Sequence, residues 1–376
     1  FWWQDDDSVN WIGSRGVWTE QGRTWLGDIR PVGPAPERGA ILRQVDARPG
    51  QQVAAAVADS PTHPPEVYLL QPGAEPHRLT DSNTLLAERE LRRQEVVRYA
   101  ARDGLELEMI VVHPLDKPLF GAPPLVLMIH GGPEAHFSNG WMSAYSRPAQ
   151  AMAAEGYIVA FPNYRGSTGR GVEFSKMGQH DYAGAEFNDF VDAKTHLVEE
   201  DLADGDRTGV TGGSYGGFAS MWAASALTEH FAAAVAFVGI SDQISKFGTT
   251  DIPMEMYNVH ARSWPWDDWQ WMLERSPIFH AGKVKTPLLI MHGAEDPRVH
   301  PAQSMEMYRH VKVRTETPVR LVYYPGEGHG NSRTAGRYDY GLRLMRWMDT
   351  FLKEGAEEAP PWEIDHAKRL EEASAG

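Results

Sequence analysis

The stretch Gly212-Gly213-Ser214-Tyr215-Gly216-Gly217 constrains this chain more than any other. It fits G-x-S-x-G, the pattern of a sharp turn that lifts a serine from the end of a strand onto the start of a helix. Ahead of it, Arg207-Thr208-Gly209-Val210-Thr211 is partly β-branched and reads as a strand. Behind it, residues 218–224 are rich in helix formers. Such a turn strains the backbone and presses strand against helix, so a side chain at Gly212 or Gly216 would clash. Ser214 then stands at the helix start, where the N–H of Tyr215 has no helical acceptor and is free to meet an oxyanion. A glycine-rich turn with an incidental serine is the plainer alternative, and the rest of the chain decides between them.

Composition narrows the classes. The chain has 376 residues, so one large or two unequal domains are expected. A net charge of −15 with no long basic run argues against nucleic acid or an anionic membrane as partner. There is no cysteine, which excludes disulfides and thiolate chemistry. No apolar run approaches the ~18 residues of a membrane span. The opening Phe1-Trp2-Trp3, with Asp5-Asp6-Asp7 close behind, carries no signal-peptide pattern. It is expected to lie part-way through a longer translation product. The cytoplasm is the expected compartment, with periplasm or secretion left open on that account.

Residues 1–84 show short strand-like runs broken by turn signals. Residues 17–19 and 24–26 flank a polar turn at 20–23. Residues 53–58 and 66–70 flank a turn at 60–65, and 77–80 close the set. Short, evenly spaced strands suggest part of a β-propeller, and at ~40–50 residues per blade there is room for about two, its last blades. Residues 85–110 read as a linker and the first strands of the following domain, with a hairpin turning at Arg102-Asp103-Gly104. Over 111–355 the texture changes. Apolar strands at 124–130, 157–162, 232–238, 287–292 and 319–324 alternate with helices at 149–155, 183–198 and 338–352. That pattern is a parallel sheet covered on both faces, an α/β domain. Residues 356–376 form a charged tail.

A serine hydroxyl needs a base, and the base needs an orienting carboxylate. Strand 287–292 runs into Gly293-Ala294-Glu295-Asp296-Pro297, and strand 319–324 runs into Pro325-Gly326-Glu327-Gly328-His329. The order serine, acid, histidine, each after a strand, is that of an α/β-hydrolase fold. Ser214, Asp296 and His329 are the candidate triad. Asp296 is preferred to Glu295 because its shorter side chain before Pro297 suits a fixed orienting role. His130-Gly131-Gly132-Pro133 follows an early strand, the place from which a second oxyanion donor beside Tyr215 usually comes. Phe137 and Trp141 just beyond line a substrate pocket or pack the core. Arg165 holds a substrate carbonyl or carboxylate, or makes a structural ion pair. No HExxH, no helical His-x-x-x-His pair and no phosphate-binding loop occurs, so no metal and no cofactor are expected.

Taken together, His130-Gly131-Gly132-Pro133, residues 163–169 (Asn-Tyr-Arg-Gly-Ser-Thr-Gly), residues 212–217, the Asp296 loop and Gly328-His329 resemble the prolyl oligopeptidase family of serine peptidases. The resemblance is closest to its acylaminoacyl-peptidase-like branch and covers residues 93–352. It implies an α/β-hydrolase domain preceded by a β-propeller that caps the site and admits short peptides. It implies an acyl-enzyme on Ser214, with His329 as general acid and base and Asp296 as orienter. The implied partners are short peptides and the remaining propeller portion on a separate fragment, with a homo-oligomer left open. A carboxylesterase using the same triad and an inactive binding module are the competing readings.

Overall fold

The computed structural model describes residues 1–3, 7–25, 39–48, 51, 53–71, 74–115, 121–364 and 366. One eight-stranded sheet organises the chain. Its strands are β1 (Gln94–Ala100), β2 (Glu106–Val112), β3 (Pro124–Ile129), β4 (Ile158–Asn163), β5 (Asp204–Gly213), β6 (Ala233–Phe237), β7 (Leu288–Gly293) and β8 (Val319–Tyr324). They lie in the order β8-β7-β6-β5-β3-β4-β2-β1. β1 and β2 run antiparallel to their neighbours, and β3 to β8 pair in parallel.

Parallel strands need crossovers, and these are helices on both faces. They include α1 (Ala149–Ala154), α2 (Ala185–Glu199), α3 (Tyr215–Ser225) and α4 (Ala302–Arg314), while α5 (Thr334–Met348) follows the last strand and packs back on the sheet. Alternation along β3 shows the two cores directly. Leu125, Leu127 and Ile129 enter one with Phe187 and Phe190 of α2 and Phe218 of α3. Val126 and Met128 enter the other with Met152 of α1 and Leu344 and Trp347 of α5. All six residues of β3 are buried, which is why the strand reads as a continuous apolar run. Each such side chain contributes roughly 1.5–3 kcal/mol of burial.

The sheet matches the sequence expectation strand for strand. α4 was not expected. Its buried face carries Gln303 and Ser304 beside Met307 and Val311, so its apolar periodicity is weak. Those polar groups are tolerated because each is bonded: Gln303 Oε1 accepts from the N–H of Ser241 and Asp242, both at 2.9 Å, and the Ser304 hydroxyl meets His292 Nδ1 at 2.6 Å. α5 begins at Thr334, ahead of the expected residue 338.

Two small antiparallel sheets precede this domain, the β-rich fragment that was expected. One joins Trp2–Trp3, Ser8–Arg15 and Trp18–Trp25; the other joins Ile41–Asp46, Ala54–Ser60, His63–Leu70 and His77–Arg78. The turn assigned to 20–23 lies inside the strand Trp18–Trp25, and Leu26 is outside the described residues. The real turn is at Gly16-Val17, since Arg15 pairs with Trp18 and Gly16 has φ +57°. Pro64 and Pro65 sit in the strand His63–Leu70 rather than in the turn before it, and the strand Ile41–Asp46 was not expected. These sheets are not detached from the α/β domain. Val17 is fully buried among its side chains, Gly16 N–H donates to Gly169 O at 2.7 Å, and Asn139 N–H donates to Val17 O at 2.7 Å.

Candidate active site

β5 ends at Gly213 and α3 starts at Tyr215, so Ser214 is the whole turn between them. It holds φ +59° and ψ −119°, a conformation costly for a residue with a Cβ. The neighbours enforce it. Ser214 N–H donates to Phe237 O at 3.0 Å, and Ser214 C=O accepts from Phe218 N–H at 2.9 Å. A Cβ at Gly216 would collide with the carbonyl oxygen of Ile129, so only glycine lets α3 close on β3. The serine hydroxyl makes no capping bond to its own helix.

His329 follows β8 and Asp296 follows β7, at the C-terminal edge of the sheet where β5 delivers Ser214. His329 Nδ1–H donates to Asp296 Oδ2 at 2.7 Å. Asp296 is buried and its carboxylate is saturated. Its Oδ1 accepts from the N–H of Arg298 at 2.8 Å and of Val299 at 3.1 Å, and His292 Nε2 also lies 3.2 Å from Oδ2. Burial alone would raise its pKa; the bonds from His292 and His329, and the electrostatic attraction of His329, outweigh this and hold it well below the usual carboxylate range. Among the described residues the His329 side chain bonds only to Asp296, which leaves Nε2 uncommitted. The ring is partly exposed at 27 %, so it is accessible to a reacting group.

The loop after β3 closes the other side. A Cβ on Gly131 would lie 3.0 Å from Gly213 O and 3.3 Å from Ser214 Cβ, which puts this loop directly against the serine. The next residue is Gly132, at φ +120°. Residues 163–169 hold the loop in place from behind. Asn163 brackets Phe137 by its N–H (2.8 Å) and C=O (2.9 Å), Tyr164 stacks on His130 with centroids 4.2 Å apart, and the Ser167 hydroxyl lies 2.9 Å from His130 Nε2. Burial pushes the pKa of His130 down to about 4, so this ring is a neutral structural wedge at ordinary pH.

The hydrolase domain as a whole can be compared with known proteins. The family model described as "Prolyl oligopeptidase family" matches residues 143–355. The chain belongs to the prolyl oligopeptidase family. It is 32% identical over 359 residues to "Uncharacterized peptidase YuxL" of Bacillus subtilis, covering 93% of this chain and 53% of that protein. It is 36% identical over 270 residues to the acylamino-acid-releasing enzyme of Sus scrofa, covering 69% of this chain and 35% of that one. The acylaminoacyl peptidase of Pyrococcus horikoshii superposes with a TM-score of 0.80 over 96% of this chain and 56% of that one, at 24% identity. The chain thus spans about half or less of the length of these relatives.

In this prolyl oligopeptidase-family chain the three residues expected at the substrate have different fates. Trp141 lines a cavity of about 370 Å³ that reaches Gly131 and Gly213 and is also lined by Arg43 and Arg147. Phe137 borders the same cavity but is buried, packed edge-on against His130 and Phe161. Arg165 is a structural clamp rather than a free cation. Its guanidinium grips buried Asp189 (2.7 Å) and Asp103 (2.7 Å). Another cavity, of about 840 Å³, lies between the two N-terminal sheets and contains none of the candidate catalytic groups.

Two supporting residues were not read from the sequence. Glu327 staples the His329 loop: it accepts from Ser332 N–H (2.7 Å), the Ser332 hydroxyl (2.8 Å) and Arg333 N–H (3.0 Å). Ser332 N–H leads the donors that lower its pKa. Tyr145 accepts Asn331 N–H at 2.8 Å and braces the same loop from the other side. A carboxylate between two glycines just before the histidine was the available signal for Glu327.

Proposed function

We propose that this chain is a serine peptidase acting on short peptides, with Ser214 as nucleophile, His329 as general base and acid, and Asp296 as orienter. The N–H groups of Gly132 and Tyr215 form the oxyanion hole. The observation that carries this reading is the 2.7 Å bond from His329 Nδ1 to Asp296, on the sheet edge where Ser214 stands with its hydroxyl making no bond to its own helix. In the first step Nε2 takes the hydroxyl proton as Oγ bonds to the substrate carbonyl carbon. The developing oxyanion takes hydrogen bonds from the two N–H groups, each worth roughly 3–4 kcal/mol. Nε2 then passes the proton to the leaving amine and the C–N bond breaks. Water, deprotonated by the same nitrogen, hydrolyses the ester on Ser214 and returns the enzyme.

The names of the pig and Pyrococcus relatives support acylated peptides as the substrate class. Residues 1–84 are assigned as the last blades of a propeller, pairing with further blades on a separate fragment, with 85–110 as linker and first strands, 111–355 as the catalytic domain and 356–376 as a tail. Among the described residues no helix is long and apolar enough to cross a membrane, and a cytoplasmic location belongs to the same proposal.

The test is turnover of matched amides and esters of short peptides, with acetylated and free N-termini, by wild type and Ser214→Ala. The expected result is cleavage of acetylated peptide amides that falls at least about 10³-fold in the variant. Turnover of esters alone would make the chain a carboxylesterase. Folded protein with neither activity would make it a binding module.

A further inference from the structure

Spacing along the chain predicts no metal site, yet three metal-ligand side chains meet beside the oxyanion loop. Glu134 follows Gly132 by two residues, while Glu255 and His260 lie on the insert between β6 and β7. One donor atom from each lies within 4.8 Å of the others. His260 Nε2 is 3.7 Å from Glu134 Oε2 and 3.7 Å from Glu255 Oε1. These gaps are too long for hydrogen bonds. They suit donors sharing one ion, since ligands held at ~2.0–2.2 Å lie roughly 3–4 Å from each other.

The second observation is independent of the acidic pair. His260 is 3% exposed, and its Nε2 is buried with no hydrogen-bond partner among the described residues. Buried ring nitrogens are rarely left so, and this one points at the two carboxylates. The other ring nitrogen is already fixed, because Nδ1 lies 2.8 Å from the hydroxyl of fully buried Tyr182. With Nδ1–H donating to that oxygen, Nε2 presents its lone pair, the arrangement by which an outer partner sets a ligating histidine. Lys246 Nζ sits 3.6 Å from Glu255 Oε2 and leaves Oε1 for the site. The Glu134 side chain is 35% exposed, which gives an ion access from solvent.

We propose that Glu134, Glu255 and His260 bind a divalent transition-metal ion of the zinc class, with water completing the coordination. One nitrogen and two carboxylate donors suit such an ion better than calcium or magnesium, which take oxygen ligands. The ion ties the oxyanion loop to the insert, two segments joined here by no covalent link. The inference does not rest on the peptidase reading, because none of the three side chains takes part in the proposed acyl transfer.

The experiment is calorimetric titration of chelator-treated full chain with Zn²⁺, and optical titration with Co²⁺, all in the Ser214→Ala background. The expected result is saturation at one ion per chain with tetrahedral Co²⁺ bands. Glu134→Gln and Glu255→Gln should each weaken binding at least about 10-fold, and Tyr182→Phe about 10-fold through the lost outer bond. Glu134 and Glu255 are partly exposed, so their variants carry the test even if His260→Gln fails to fold. No saturable binding by the parent, or binding unchanged in both glutamate variants, would overturn the site.

Discussion

At the scale of single residues, burial decides which ionisable groups work and which only hold shape. Asp296 stays ionised because two imidazoles and two backbone N–H groups face it. Its folded pKa lies below the unfolded one, so its stabilising effect is full above pH ~4 and fades as pH falls through the folded value. Asp296→Asn should leave the fold intact and lower kcat by about 10⁴-fold, with little change in KM; steady-state kinetics on a peptide amide checks this. Glu186 is the opposite case. It is buried against Tyr215, takes that phenol's hydrogen bond, and leaves its Oε2 without a partner among the described residues. Burial raises its pKa to about 8. The folded state therefore holds a proton that the unfolded chain has already lost above its ordinary value near 4.5. Between those two pH values stability falls as pH rises, and above pH 8 the penalty is complete. Glu186→Gln should remove that slope, so thermal melts of variant and wild type diverge as pH climbs from 5 to 8 in favour of the variant. Parallel melting curves would show that Glu186 is ionised in the fold.

At the scale of elements, the sheet was legible and several of its attachments were not. Strands buried on both faces spell themselves as apolar runs, and the loops after β5, β7 and β8 carry Ser214, Asp296 and His329 in readable order. α4 hid because Gln303 and Ser304 occupy its buried face. The hairpin turn hid because Gly22 imitates a turn glycine, whereas it gives room to the ring of Trp11 in the neighbouring strand. The cation site was invisible because its ligands converge only in space. Arg165 was ambiguous because an arginine in a loop motif reads equally as ligand or clamp. Its grip on Asp189 joins the end of β4 to α2. Arg165→Met would strand a fully buried carboxylate and should cost about 3 kcal/mol of stability. Denaturant melts should show that loss, with KM for peptides unchanged; a raised KM at full stability would return Arg165 to the substrate.

At the scale of the whole molecule, the first N-terminal sheet reaches into a core of the α/β domain through its hairpin, while the second packs a small cluster of its own around Leu42, Ala58 and Tyr68. Val17 is fully buried beside Phe137 and Met142, and Asp59 with its partner Arg43 packs against Gly140 in the segment after β3. Val17→Ala should therefore destabilise by about 2 kcal/mol and move far-UV circular dichroism and tryptophan fluorescence melts together. A shift in one probe alone would mean the sheets unfold separately. The proposed chemistry requires Ser214 to be the one activated hydroxyl of this assembly. The direct measurement is fluorophosphonate labelling followed by peptide mapping, with Ser214→Ala and His329→Ala alongside wild type. The account predicts a single adduct on Ser214, absent in the first variant and formed far more slowly in the second. An adduct on another side chain, or undiminished labelling of Ser214→Ala, would contradict it.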